Sequence, residues 1–236
     1  MRKNVLLERF FSALICGNRP EARAVVDEVL ETEVSTKKVI SHLFWPTLEL
    51  LQKLYRADQL SELAYHYATR LLRGLIDQMQ LRLVQTERRG VKVLMVCGAE
   101  ESEELAAQMA SDVLEADGYE VYFLGGGIAN DEVVEEIGNV KADTLVIFGA
   151  MPNTVPYSRQ LIDRLHGIGV CPNLQIVIGG GVFNRVDGLA EEIGADLWAK
   201  DPIGLVELMA TRPERRMTSS QRTVGRKRRV RHSAAA

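Results

Sequence analysis

The 236-residue chain is 46% apolar and carries a formal net charge of −3, long enough for one large domain or two small ones with real cores. No apolar run reaches the roughly 20 residues that cross a bilayer, and the three cysteines, Cys16, Cys97 and Cys171, are too few and too scattered for a disulfide framework or a CxxC centre. From Thr211 onward nine Arg and Lys face one Glu, so an acidic body precedes a basic tail.

The opening MRKNVLLERFF is interrupted by Glu8 and Arg9 and lacks a clean small-residue cleavage site, so it reads as an amphipathic helix rather than a signal peptide, and the chain as cytoplasmic. Val5, Leu6, Phe10 and Leu14, then Ala22, Val25, Val26, Val29 and Leu30, recur at helical spacing on either side of a break at Gly17 to Pro20. Ser35 opens a third helix, and Pro46 is expected to start a fourth, because proline suits a first turn and disfavours helix in the residue before it. A long last helix, from Ser61 to about Glu87, carries Leu63, His66, Tyr67, Leu71, Leu75 and Met79 on or near one face. Residues 1–89 therefore form a helical bundle.

From Val91 the period changes. VKVLMV, EVYFL, DTLVIFG, LQIVIGG and DLWA are five candidate strands separated mostly by helical stretches. Runs that are apolar on both faces mark a parallel sheet covered on each side, and right-handed crossovers favour a doubly wound, flavodoxin-like (Rossmann-like) α/β domain over 90–210, strand order 2-1-3-4-5. Ligands of such sheets bind at the carboxyl ends of the strands, here the loops after Cys97, Gly149 and Gly179. Residues 211–236, without apolar periodicity, read as a disordered basic tail. The first loop, CGAEESEEL, lacks GxGxxG, and no Walker A, HExxH, GxSxG or acceptor aspartate is present, so no ordinary enzyme is indicated.

A helical cap followed by this α/β domain resembles the cobalamin-binding modules of methionine synthase, corrinoid carrier proteins and light-sensing transcriptional repressors. That family's first loop carries DxHxxG, whose histidine ligates cobalt from below. In this chain the matching stretch is read as Glu100, Ser102 and Leu105, a departure that removes the imidazole. VIGGGVFN, with Gly179 and Gly180, is similar to the family's paired glycines beside the buried nucleotide tail. FGAMPNT places Gly149 and Thr154 where the family has a hydroxyl-bearing loop. On the cap, Tyr55 stands in the position of the sensors' tryptophan, and Tyr65 and His66 in that of their Glu-His. The resemblance implies a cofactor-binding set of Tyr55, His66, Ser102, Gly149, Thr154, Gly179 and Gly180, with His66 as the one candidate metal ligand.

The resemblance implies a non-enzymatic sensor that holds cobalamin, with its own base attached, or haem, in a slot between bundle and strand ends. The alternative is a ligand-free regulatory scaffold; a corrinoid carrier for methyl transfer ranks third because Ser102 gives no control of cobalt from below. A regulatory protein partner is expected, homo-oligomerisation through cap or sheet is a further expectation, and nucleic acid is suggested only by the basic tail.

Overall fold

The computed structural model describes residues 2–149, 151–169 and 171–217. Its first part is helical: α1 (Arg2–Ile15), α2 (Arg19–Leu30), α3 (Thr36–Val39), α4 (Trp45–Arg56) and α5 (Glu62–Gln80). The Asn18 side chain accepts from the Glu21 N–H at 3.1 Å and Pro20 lies in the first turn, which starts α2. Ser61 caps α5 in the same way through the Ala64 N–H. Phe10, Leu14, Val25, Leu48, Leu51, Leu72 and Ile76 are fully buried between these helices, each apolar side chain of this size contributing roughly 1.5–3 kcal/mol.

Two boundaries differ from expectation. Pro46 does not begin a new helix. α3 runs through a widened turn, Ile40–Phe44, straight into α4, and the Trp45 N–H donates to the Ile40 carbonyl five residues back. The wide turn makes room for the proline ring and absorbs its missing N–H without a break. The last cap helix stops at Gln80, not near Glu87. Beyond it Leu83 buries, Thr86 N–H donates to Ala116 O and Arg89 N–H to Gly118 O, so bonds to the next domain outweigh further helical turns.

The second part contains β1 (Lys92–Cys97), α6 (Glu101–Ala116), β2 (Glu120–Gly126), α7 (Asn130–Val140), β3 (Thr144–Phe148), α8 (Thr154–Ile168), β4 (Gln175–Gly179), α9 (Gly181–Arg185), α10 (Leu189–Ile193), β5 (Leu197–Ala199) and α11 (Pro202–Thr211). The strands pair in parallel in the order β2-β1-β3-β4-β5, as the sequence pattern predicts. Side chains alternate across the sheet: Leu94, Val96, Leu145, Ile147, Ile176 and Ile178 pack with α7, α8 and α10, whereas Val93, Met95, Cys97, Val146, Phe148 and Val177 face α6 and α11. The second of these faces is continuous with the core of the bundle, so α6 lies between sheet and cap and is buried along most of its length.

At the amino end of the sheet, Lys37 and Arg89 both bond Asp117, at 3.0 and 2.6 Å. Burial works against the ionised Asp117, but these hydrogen bonds outweigh it and hold its carboxyl below the usual range. Residues 211–217, assigned from composition to the tail, are held in place: the Gln175 amide donates to the carbonyls of Arg212 and Arg215, and Met217 N–H donates to Asp196 Oδ1. Residues 218–236, the rest of the basic stretch, lie outside the described residues. Among the described residues no helix is long and apolar enough to cross a membrane.

Asp112, on α6, is almost fully buried. Burial, then Glu115 and Asp77, push its carboxyl up to about 7. The folded state thus binds this proton more tightly than the unfolded chain, and the stability tied to it is intact below 3.8 and lost as pH rises to about 7. Thermal stability should fall as pH rises from about 4 to about 7 and level off above, and Asp112→Asn should flatten that slope, gaining roughly 1–3 kcal/mol at pH 8 and little at pH 4. Parallel pH profiles of wild type and variant check this.

Candidate functional site

β1 and β3 are neighbours whose connections leave on opposite faces of the sheet, so a crevice opens between their carboxyl ends. Gly98 N–H donates to Phe148 O and Gly149 N–H to Gly179 O, extending the ladder one residue past each strand. The chain then passes Ala99 and Glu100 and begins α6 at Glu101. Glu101, Glu103 and Glu104 in its first turn suit the positive end of the helix dipole. The acidic motif is thus the head of a helix, not a loop.

Glu103 is 1% exposed. Its Oε1 accepts from Thr154 Oγ1 at 2.6 Å and from the Met151 N–H at 2.9 Å, charge-assisted bonds that tie the start of α6 to the loop after β3. A Cβ placed on Gly98 would lie 1.9 Å from Glu103 Oε2, one on Gly149 2.7 Å from the Thr154 methyl, and one on Gly179 2.6 Å from the Phe148 ring. On Gly180, whose φ is +105°, a Cβ would fall 2.2 Å from the Gly149 carbonyl oxygen. Each glycine face is therefore covered by the chain itself.

The cap closes the other side. Trp45 meets the Phe148 ring edge-on at 6.2 Å, the Gln52 amide donates to Ser102 O at 3.3 Å, and Thr69 Oγ1 donates to Glu101 Oε2 at 2.9 Å. Arg73 pairs with Glu104 at 3.2 Å and reaches Glu101 at 3.9 Å. Tyr55 and Tyr65 stack at 4.1 Å. Burial raises the Tyr65 phenol, which lies beside Ser102. Among the described residues, Trp45, Gln52, Phe148 and Glu103 occupy the seam where an open slot between bundle and strand ends was expected.

The sequence-predicted residues fall into two groups. Gly149, Thr154, Gly179 and Gly180 gather at the ends of β3 and β4. Tyr55, Tyr65 and Ser102 gather on the cap seam, where Ser102 is buried. His66 lies at the rim, its side chain half exposed, 3.6 Å from Glu62 and 4.0 Å from Glu101. Among the described residues no three His, Cys, Asp or Glu side chains are grouped to hold a metal. The residue that sequence reasoning missed is Glu103. With Ala107, Ala110 and Leu114 it makes a stripe at helical spacing, all of them buried, a signal hidden inside an acidic run. Shifted by one, the motif spacing reads Glu101, Glu103 and Ala106, and it is Glu103, not Ser102, that turns toward the strand ends.

Beside this point lies a cavity of about 380 Å³ lined by Cys97, Gly98, Gly127, Asn153, Thr154 and Tyr157, near the small end of the roughly 300–1,000 Å³ range of ligand pockets. Burial, followed by Glu104 and Glu103, pushes the Cys97 thiol up to about 12, so it stays protonated.

A bundle-capped, doubly wound domain with its glycines at the carboxyl edge defines a class of ligand-binding modules. Two family models, each described as a B12 binding domain, match residues 91–206 and 6–80, and the chain belongs to this B12-binding family. Monomethylamine corrinoid protein 2 of Methanosarcina acetivorans is 20% identical over 207 residues, 85% of this chain and 94% of that one. Dimethylamine corrinoid protein 1 of the same organism is 29% identical over 98 residues, 42% of this chain and 45% of the relative, so less than half of its length is spanned. The solved monomethylamine corrinoid protein of Methanosarcina barkeri superimposes with a TM-score of 0.74 at 18% identity, covering 88% of this chain and 98% of that one, and shows the same fold. Family membership supports cobalamin-type binding as the capacity of this architecture.

The residues present do not fit a corrinoid held by histidine from below. A buried, hydrogen-bonded carboxylate faces the strand ends, three further glutamates crowd the start of α6 around it, and the Cβ faces of Gly98, Gly149, Gly179 and Gly180 are covered by the chain itself.

Two outcomes are expected. At pH 8 the exposed Cys16 should alkylate readily while the buried Cys97 resists until the protein unfolds, which mass mapping of labelled peptides would read. Gly180→Ala should lower stability by roughly 1–3 kcal/mol, since the new Cβ meets backbone and the φ is strained; denaturant titration would measure it.

Proposed function

We propose that the chain is a non-enzymatic regulatory member of the B12-binding family. In this reading it accepts a corrinoid that brings its own base, with no protein ligand beneath the cobalt, and acts on a protein partner through the position of its cap. Membership of the family and the likeness to proteins named as corrinoid proteins support corrinoid binding. The observation that carries the finer reading is Glu103. A methyl carrier needs cobalt controlled from below by a good ligand, and a carboxylate engaged by Thr154 and Met151 supplies none.

Gln52, Thr69 and Arg73 hold the cap shut against α6. Binding then requires the cap to lift, and a difference between lifted and shut cap is what a partner can read. The likeness to corrinoid proteins supports a protein partner, the regulatory output being this reading's own. A second reading, a scaffold that keeps the fold without a cofactor, is favoured by the covered glycine faces and by Trp45 packed on Phe148.

Incubation with hydroxocobalamin, adenosylcobalamin and haemin, followed by desalting and absorption spectroscopy, separates these. Retention of a corrinoid with its own base on the metal is expected; colourless protein in every case sinks the corrinoid reading in favour of the scaffold. If a species is retained, His66→Ala should change its spectrum only where His66 touches the upper face, and an unchanged spectrum removes His66 as a metal ligand.

A further inference from the structure

Glu103 lies where the end of β1 meets the loop after β3: its carboxylate covers Gly98, accepts from Thr154, and binds the backbone two residues past Gly149. Ser102 and Glu103, each 1% exposed, are packed into the seam rather than draped over it. Phe148 closes Gly179 and is itself pinned by Trp45 from the cap. Displacing the carboxylate would break two charge-assisted bonds made by a buried group, which costs more than moving a neutral side chain. A phosphodiester brought alongside it would add like-charge repulsion among Glu100, Glu101, Glu103 and Glu104.

We propose that Glu103 is a specificity-determining plug: by occupying the space against Gly98, between the start of α6 and the loop after β3, it excludes the nucleotide tail of a corrinoid, so that the chain accepts only corrinoids whose base stays on the cobalt. This rests on the corrinoid reading above and names which form of the cofactor the site selects. The cavity beside Gly98 and Thr154 shares those two residues with the plug, so shortening the side chain at 103 extends an existing space toward the β3–β4 glycines. The selection is made by the volume and charge of one side chain, whereas the cap decides only whether the site is accessible.

The full chain, wild type and Glu103→Ala, is loaded with cob(II)alamin and, separately, with cobinamide, which has no nucleotide tail, then desalted. Paramagnetic resonance reports whether the cofactor's own nitrogen remains on the metal. Wild type should hold the base-on form, and Glu103→Ala should shift the base-off to base-on ratio upward by roughly tenfold, with cobinamide retention unchanged. Glu103→Gln keeps the volume and much of the hydrogen bonding, checks folding, and should stay closer to wild type than the alanine variant. Wild type already base-off, an unchanged ratio in Glu103→Ala, or an equal gain for cobinamide, which would mean a merely loosened cap, overturns the plug. Colourless wild type with a cobalamin-retaining Glu103→Ala means that the side chain excludes the whole cofactor rather than its tail, which overturns the selection and defeats the corrinoid reading for the native chain; no retention by any of the three defeats both.

Discussion

A single buried carboxylate organises the carboxyl edge of this protein. Glu103 would be costly to hold in an apolar interior as a bare charge, and the chain meets that cost with a hydroxyl from Thr154 and the N–H of Met151. Those two donors come from the loop after β3, so the bond fixes how the first turn of α6 sits against the neighbouring strand. Gly98 follows from the same contact, since any side chain there would occupy the carboxylate's place. The cap follows in turn, because Gln52, Tyr65, Thr69 and Arg73 all dock on the turn of α6 that Glu103 anchors.

That arrangement separates architecture from chemistry. The family frame survives intact, with the bundle, the 2-1-3-4-5 sheet and the glycines at the ends of β3 and β4, and its core is continuous from cap to sheet. The first turn of α6 carries no imidazole. Where a neutral nitrogen would offer a lone pair to a metal, an anionic oxygen is already engaged within the protein. A fold can keep its shape through such a change because packing, not the ligand, holds the layers together, and function has to be argued from the site.

The seam between cap and sheet combines an apolar centre with a polar margin. Trp45 on Phe148 and the buried face of α6 supply area removed from water, while Arg73, Glu101 and Glu104 remain partly exposed. Partly exposed ion pairs contribute modestly and are screened by salt, so the apolar centre is what keeps the cap seated. Opening the seam therefore costs mainly hydrophobic burial, and a ligand that lifts the cap has to replace that burial with its own surface.

The sequence alone determined the two-part organisation and all five strands, because short runs apolar on both faces, alternating with helical stretches, belong to a covered parallel sheet, and right-handed crossovers then favoured their order. It also pointed to the right edge of the sheet, since glycines after β3 and β4 mark close approach. Pro46 misled because a widened turn, invisible to local rules, absorbs it, and α5 ended early because its successor found partners on α6. Only the tertiary structure decided which acid in EESEE turns inward: a shift of one residue rotates a helical side chain by about 100°, and the choice between Ser102 and Glu103 depends on Thr154 and Met151, some fifty residues away. Whether the slot stays open or is filled was decided there as well, since it depends on how Trp45 and Phe148, distant in sequence, meet across two domains.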